Sequence, residues 1–146
     1  MIKVGITNKS PYPLPEYGKV GNSGMDVKAW IPEAITLQPL ERTLVKTGIY
    51  LDIPEGYEIQ VRPRSGLALK RGLTVLNTPG TVDSNYTGEI GVILVNLSNE
   101  AQTIEPGERI AQIVFAKVEL MEFVELEEIT KETERGGQGY GDSGRF

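Results

Sequence analysis

The sequence predicts an all-β protein of short strands, and three observations carry that prediction. Short apolar stretches recur along the chain, separated by Gly, Pro and Asn clusters that bend backbone. Only residues 65–71 carry helix start and stop signals. Residues 73–96, LTVLNTPGTVDSNYTGEIGVILVN, hold two apolar runs around a polar centre, the pattern of a β-hairpin with a long loop. A sandwich, a jelly roll and a barrel all satisfy this pattern. At 146 residues, with no internal repeat and no dividing linker, the chain is expected to be one domain. A chain of that length buries roughly two thirds of its unfolded surface.

Taken in order, Ile2, Val4 and Ile6 alternate with polar or small residues, the period of a half-buried strand. Residues 8–22 contain three prolines and two glycines and are expected to be irregular. SGMDVKA (23–29) leaves that loop for a strand, with Asp26 near its start as either an edge residue or a functional acid. Ile35, Leu37 and Leu40 lead into residues 43–51, read as one extended segment. Residues 53–56 are a turn, and Tyr57, Ile59 and Val61 alternate through the next strand. Pro63 stops that strand, because it cannot donate to a ladder. Ser65 is a competent helix N-cap and Gly72 a C-terminal stop. The free N–H groups at such a helix start, beside Arg64, suit a phosphate, although most Ser caps are only caps.

In the hairpin, Asp83 and Tyr86 sit three residues apart among Asn77, Pro79, Gly80, Ser84, Asn85 and Gly88. Either they line a pocket, or they cap and pack a solvated loop. After the turn at 105–108, RIAQIVF (109–115) is a buried strand carrying Gln112, whose amide needs a hydrogen-bond partner. Residues 117–126 alternate roughly and read as a last strand. The final twelve residues hold five glycines and no periodicity. Ordering them costs on the order of 1–2 kcal/mol per residue, so a mobile tail is expected unless a ligand holds it.

Composition limits the chemistry. With no cysteine and no histidine, disulfides, thiolate metal sites and every Ser-His or Cys-His pair are excluded. Catalysis must use carboxylates, hydroxyls, amides or a soluble cation. The net charge of −5 is concentrated: residues 119–134 hold seven glutamates against Lys131, which leaves the remainder near +1 and free to bind a polyanion. No Lys/Arg stripe interleaves with aromatics, so a nucleic-acid polymer is not an expected partner. No run approaches the ~18 apolar residues of a membrane span, and MIKVGITNKS lacks a signal-peptide core. The expectation is a soluble, cytoplasmic protein.

SGMDVKA, RPRSGLA, NTPGTVDSNYTGE, PGERIAQIVF and RGGQGYGDSG, in this order and over residues 23–144, resemble the five motifs of the trimeric dUTP pyrophosphatases, or dUTPases. The resemblance implies a distorted jelly roll with one short helix, assembled as a homotrimer. It divides the chain into a β domain (1–134) and a mobile tail (135–146) that closes over the site. Three shared active sites would hydrolyse dUTP to dUMP and pyrophosphate with Mg²⁺ on the triphosphate, lowering dUTP and supplying dUMP for thymidylate synthesis. The same resemblance gives the roles. Asp83 activates the water and meets the 3′-hydroxyl, and Gln112 helps hold that water. Tyr86 lies under the deoxyribose. Arg64, Ser65 and Gly66 contact phosphates. Asn77 and the backbone of Gly80, Thr81 and Val82 read uracil. Asp26 approaches Mg²⁺ through metal-bound water. Arg135 and Gly141 belong to the tail that closes over the phosphates, with Tyr140 over the base. Gln138, Tyr140 and Asp142 stand where the family usually has Gly, Phe and Ser. A dCTP deaminase of the same superfamily would need a glutamate at position 93, and Ile93 stands there. A binding protein that has lost catalysis would not need Asp83, Gln112, Tyr86 and Arg135 together.

Overall fold

The computed structural model describes residues 1–146. Eleven strands and one helix follow in the order β1 (Gly5–Asn8), β2 (Gly24–Lys28), β3 (Ile35–Leu37), β4 (Arg42–Lys46), β5 (Ile49–Asp52), β6 (Tyr57–Arg62), α1 (Ser65–Arg71), β7 (Leu73–Val75), β8 (Gly80–Val82), β9 (Gly91–Asn96), β10 (Gln102–Ile104) and β11 (Arg109–Lys117). All pairings are antiparallel. A four-stranded sheet runs β2-β11-β6-β8 and a three-stranded sheet β4-β9-β7, with the ribbons β1-β5 and β3-β10 beside them. No helix is long and apolar enough to cross a membrane.

A single cluster of eighteen buried apolar residues joins the sheets, with Val27, Val45, Leu73, Val92, Leu94 and Ile110 among the most enclosed. Two polar side chains lie in this interior and both are satisfied. Thr47 donates to the Ile90 carbonyl at 2.6 Å. The Asn96 amide donates to the Leu37 and Glu100 carbonyls at 2.9 and 2.7 Å and accepts from Ser98 N–H and Oγ–H. It pins β9 to the end of β3.

The all-β expectation holds, with corrections. The hairpin runs pair as expected, Leu73 opposite Asn96 and Val75 opposite Leu94. Their polar centre, however, contains β8, which leaves them to pair with β6 in the other sheet. Residues 43–51 are two strands, because the chain turns at Gly48 (φ 72°), and β4 and β5 join different sheets. Ile2 and Ile6 are exposed, because β1 pairs only with β5 and nothing on this chain covers its apolar side. Ser65 is the first residue of α1 and does not cap it; Arg64 holds the cap position, with no side-chain cap bond. Gly72 does stop the helix, in the left-handed conformation (φ 63°). The strand expected at 117–126 is absent. β11 ends at Lys117, and Leu120, Met121, Phe123 and Val124 beyond it are exposed.

Asn96→Ala is expected to lower unfolding stability by about 1–3 kcal/mol, since the buried Leu37 carbonyl loses its amide donor while the Glu100 carbonyl keeps the Ser98 hydroxyl. Chemical denaturation of the variant measures this, and an unchanged midpoint would show that water replaces the amide at no cost.

Candidate active site

The double register of β11 assembles the first part of the site. Gln112 stands opposite Asp26 of β2 on one side and Arg62 of β6 on the other. Directly opposed residues share a sheet face, so Asp26 and Gln112 point the same way. A bulge between Arg109 and Ala111 swings Arg109 toward that face as well. Asp26 then sits between two guanidinium groups: Oδ1 accepts from Arg64 Nε at 3.1 Å and Oδ2 from Arg109 at 3.3 Å. Arg64 also donates to the Arg109 main-chain carbonyl at 3.2 Å. The cluster has one cationic charge in excess.

Arg64 leads directly into α1. Ala68 N–H is the first in the helix to find a helical acceptor, the Arg64 carbonyl at 3.1 Å, so the N–H groups of residues 65–67 face outward unpaired by the helix. Ser65 and Gly66 are exposed, with open space where a Gly66 side chain would project. The far end of the helix is buckled down by Arg71, which donates to Glu108, to the Thr103 carbonyl and to Gln102.

Gln112 is oriented from both ends. Its Nε2 donates to the Pro63 carbonyl at 3.0 Å, which leaves Oε1 as the free acceptor. That oxygen lies across Gly24, where an added Cβ would overlap it. A glycine here therefore supplies space rather than flexibility. An open cavity of about 830 Å³ borders this cluster, bounded by Asp26, Arg109, Gln112 and the 10–24 loop.

The second part of the site is the hairpin. β8 is the edge strand of its sheet, so its outer N–H and C=O groups have no partner strand. The Asn77 amide lies over Gly80, its nitrogen 3.3 Å from where a Cβ would stand. Asp83 and Tyr86 close one turn, Tyr86 N–H donating to the Asp83 carbonyl at 3.0 Å. The Asp83 carboxylate is exposed and takes part in no hydrogen bond or ion pair on its own chain. In the tail, Arg135 donates to its neighbour Gln138, and Tyr140 (φ 56°) is fully exposed.

The structure thus brings Asp26, Arg64 and Gln112 together, with Ser65 and Gly66 following Arg64 in the chain, and separately groups Asn77, Gly80, Asp83 and Tyr86. It does not bring the two groups together within one chain. Three strand spacings separate β2 from β8, and the register, continued one residue past Val82, places Asp83 four residue rows from Asp26. At about 4.8 Å per strand and 3.3 Å per residue, the two acids lie roughly 20 Å apart. Asp83 and Gln112 lie roughly 16 Å apart by the same measure, too far to touch one water.

Sequence reading missed Arg109. Its position three residues before Gln112 implies the opposite sheet face, and only the bulge removes that objection. The one signal was a charged residue opening an otherwise apolar run.

The dUTPase family model matches residues 10–144. The chain belongs to the dUTPase family. It is 60% identical to the deoxyuridine 5′-triphosphate nucleotidohydrolase of Fusobacterium nucleatum, over 99% of this chain and 98% of that one. It is 55% identical to the enzyme of the same name from Finegoldia magna, over 98% and 99%. Its fold superposes on the dUTPase of Staphylococcus bacteriophage 80alpha bound to dUPNHPP with a TM-score of 0.87 and 26% identity, covering 99% of this chain and all of that one. The five stretches named from sequence thus lie in a dUTPase fold as two preformed groups and an unattached tail.

Gly24→Ala is expected to expel the Gln112 amide from its place and break its bond to the Pro63 carbonyl. Stability should fall only modestly, because the main clash is with the end of a flexible side chain and Val114 Cγ2, at 3.3 Å, needs to give by only a few tenths of an ångström. A crystal structure of the variant with Gln112 unmoved would contradict this account.

Proposed function

We propose that this dUTPase-family protein is a dUTP diphosphatase, hydrolysing dUTP to dUMP and pyrophosphate in sites shared between chains of a homotrimer. This would lower dUTP and supply dUMP for thymidylate synthesis. The carrying observation is the division of the site: an unpaired carboxylate on an edge hairpin and an anion-binding cluster with an oriented glutamine, too far apart on one chain. A second copy supplying the cluster removes the distance. The exposed apolar arm beyond β11 and the uncovered face of β1 are surfaces of the kind another copy covers.

In this reading Arg64, Arg109 and the N–H groups at Ser65 and Gly66 take the phosphates. Charge-assisted bonds of this type are about twice as strong as neutral ones. The open edge of β8 and the Asn77 amide read uracil. Cytosine would set a donor against a donor and leave buried groups unpaired, which is a strong discriminator. Tyr86 lies under the deoxyribose. The attacking water donates one hydrogen bond to Gln112 Oε1 and the other to the Asp83 carboxylate. As Asp83 takes its proton, the water oxygen bonds to the α-phosphorus, the bond to the bridging oxygen breaks, and pyrophosphate leaves. Phosphoryl transfer asks chiefly for this positioning and for charge neutralisation.

Mg²⁺ fits the residues present. No cluster of three or more acidic, His or Cys side chains exists to cage a metal. Mg²⁺ prefers phosphate oxygens and water, and needs few protein ligands. Each Asp26 oxygen keeps a further acceptor site after its arginine bond, so Asp26 would hold a metal-bound water. When bound, the ion supplies charge neutralisation to the triphosphate. Arg135 and the glycines through Gly141 then close over the phosphates, with Tyr140 stacked on the base; such stacking is worth on the order of 1–3 kcal/mol.

Pyrophosphate release from dUTP with Mg²⁺ tests the activity directly; none from purified protein overturns the reading. Asp83→Asn should retain fold and nucleotide binding but lose roughly 10²–10⁴ in turnover. Near-native turnover in that variant would remove Asp83 from its role.

A further inference from the structure

The Tyr86 ring does not stand free on its loop. Its hydroxyl donates to the Glu89 carbonyl at 2.8 Å, folding the ring back over residue 88. Residue 88 is glycine, and a Cβ there would lie 2.5 Å from Tyr86 Oη, 2.7 Å from Cζ and 3.1 Å from Cε2. Side-chain carbons do not approach so closely, so the ring occupies its position only because position 88 has no side chain. The backbone beneath is anchored in turn. Glu89 Oε1 accepts from Gly48 N–H at 2.8 Å, and Ile90 N–H donates to the Ile49 carbonyl at 2.8 Å, tying the loop to the start of β5. Ring, seat and anchor form one unit, although Tyr86 itself is 46% exposed.

We propose that Gly88 is a specificity-determining residue: it is the seat that holds the Tyr86 ring flat against the hairpin, and so sets the discrimination between deoxyribose and ribose nucleotides. The inference rests on the reading of Tyr86 as the residue under the sugar. A flat ring in fixed position leaves neither space nor a partner for a 2′-hydroxyl. A ring forced off its seat leaves a gap in which that hydroxyl is tolerated. Because Tyr86 is exposed and hinged at its own χ angles, an added methyl at 88 displaces the ring without opening the core. The Gly48–Glu89 and Ile49–Ile90 bonds remain to hold the backbone. A merely structural glycine would change stability and would not alter which sugar is accepted.

The test measures kcat/KM for dUTP and for UTP in wild type, Gly88→Ala, Tyr86→Phe and Tyr86→Ala. Gly88→Ala should lower the dUTP/UTP ratio at least about tenfold, as expected when a pocket loses contact with one small group. Tyr86→Phe keeps the ring but loses its bond to Glu89, and should lower the ratio a few-fold. Tyr86→Ala should lower it at least as much as Gly88→Ala. If Tyr86→Ala moves the ratio and Gly88→Ala leaves it within twofold of wild type, the seat is refuted. If Gly88→Ala does not fold, Tyr86→Phe decides: an unchanged ratio refutes the proposal, and a few-fold fall supports it. A ratio unmoved by Tyr86→Ala refutes the sugar-facing reading itself, and absent dUTP hydrolysis in wild type refutes the function.

Discussion

Strand β11 pairs with β2 on one side and β6 on the other, and the rest of the site depends on that double register. It sets Gln112 beside Asp26, brings the Pro63 carbonyl within reach of the glutamine amide, and feeds Arg64 into the same corner. The same register carries the hairpin away, because β6 lies between β11 and β8. A one-residue slip of β11 would turn Gln112 to the other face and dissolve the cluster. Such a slip would also turn Ala111 and Ile113 out of the core, so burial of the core and orientation of the cluster are secured by one interaction.

The arginines around Asp26 add a second constraint. Two guanidinium groups converging on open solvent would repel each other, and Asp26 holds both at hydrogen-bond distance. All three side chains remain partly or largely exposed, so the arrangement gives geometry more than stability. Under the proposed function this cluster receives the phosphates, and Arg presents the planar fork that phosphate recognition uses. Glu108 plays the matching role at the other end of α1, receiving Arg71 and, through Oε2, the Glu105 N–H. The helix is thus fixed at both ends by ion pairs to the β2–β11 region.

Much of this was legible in the residues. Alternation located β6 at Tyr57–Arg62, Gly72 marked the helix end, and the two apolar hairpin runs did pair. What sequence could not give were features that depend on distant partners. The bulge that turns Arg109 toward Asp26 is a property of the β2 pairing. Three residues of the hairpin centre became β8 because β6 had a free edge, whereas turn chemistry alone describes them as loop. The arm beyond Lys117 alternates as a strand does, yet no strand of its own chain receives it. Ser65 looked like a cap, but Arg64 holds that position in extended backbone, its side chain on the Asp26 carboxylate. Asp83, Tyr86 and Gln112 were recognisable as candidates from their motifs. That Asp83 and Gln112 stand too far apart on one chain is a matter of strand order, which motifs do not encode.

The central claim is therefore that Asp83 and Gln112 of one catalytic site come from different chains. Equal amounts of Asp83→Asn and Gln112→Ala protein, each first assayed alone and expected to be nearly inactive, would be denatured together, refolded and assayed for pyrophosphate release from dUTP. With random assembly, one site in four combines an intact Asp83 from one chain with an intact Gln112 from another, so activity should recover to about one quarter of wild type. Mixed assemblies, verified by mass, that remain as inactive as the separate variants would contradict the account.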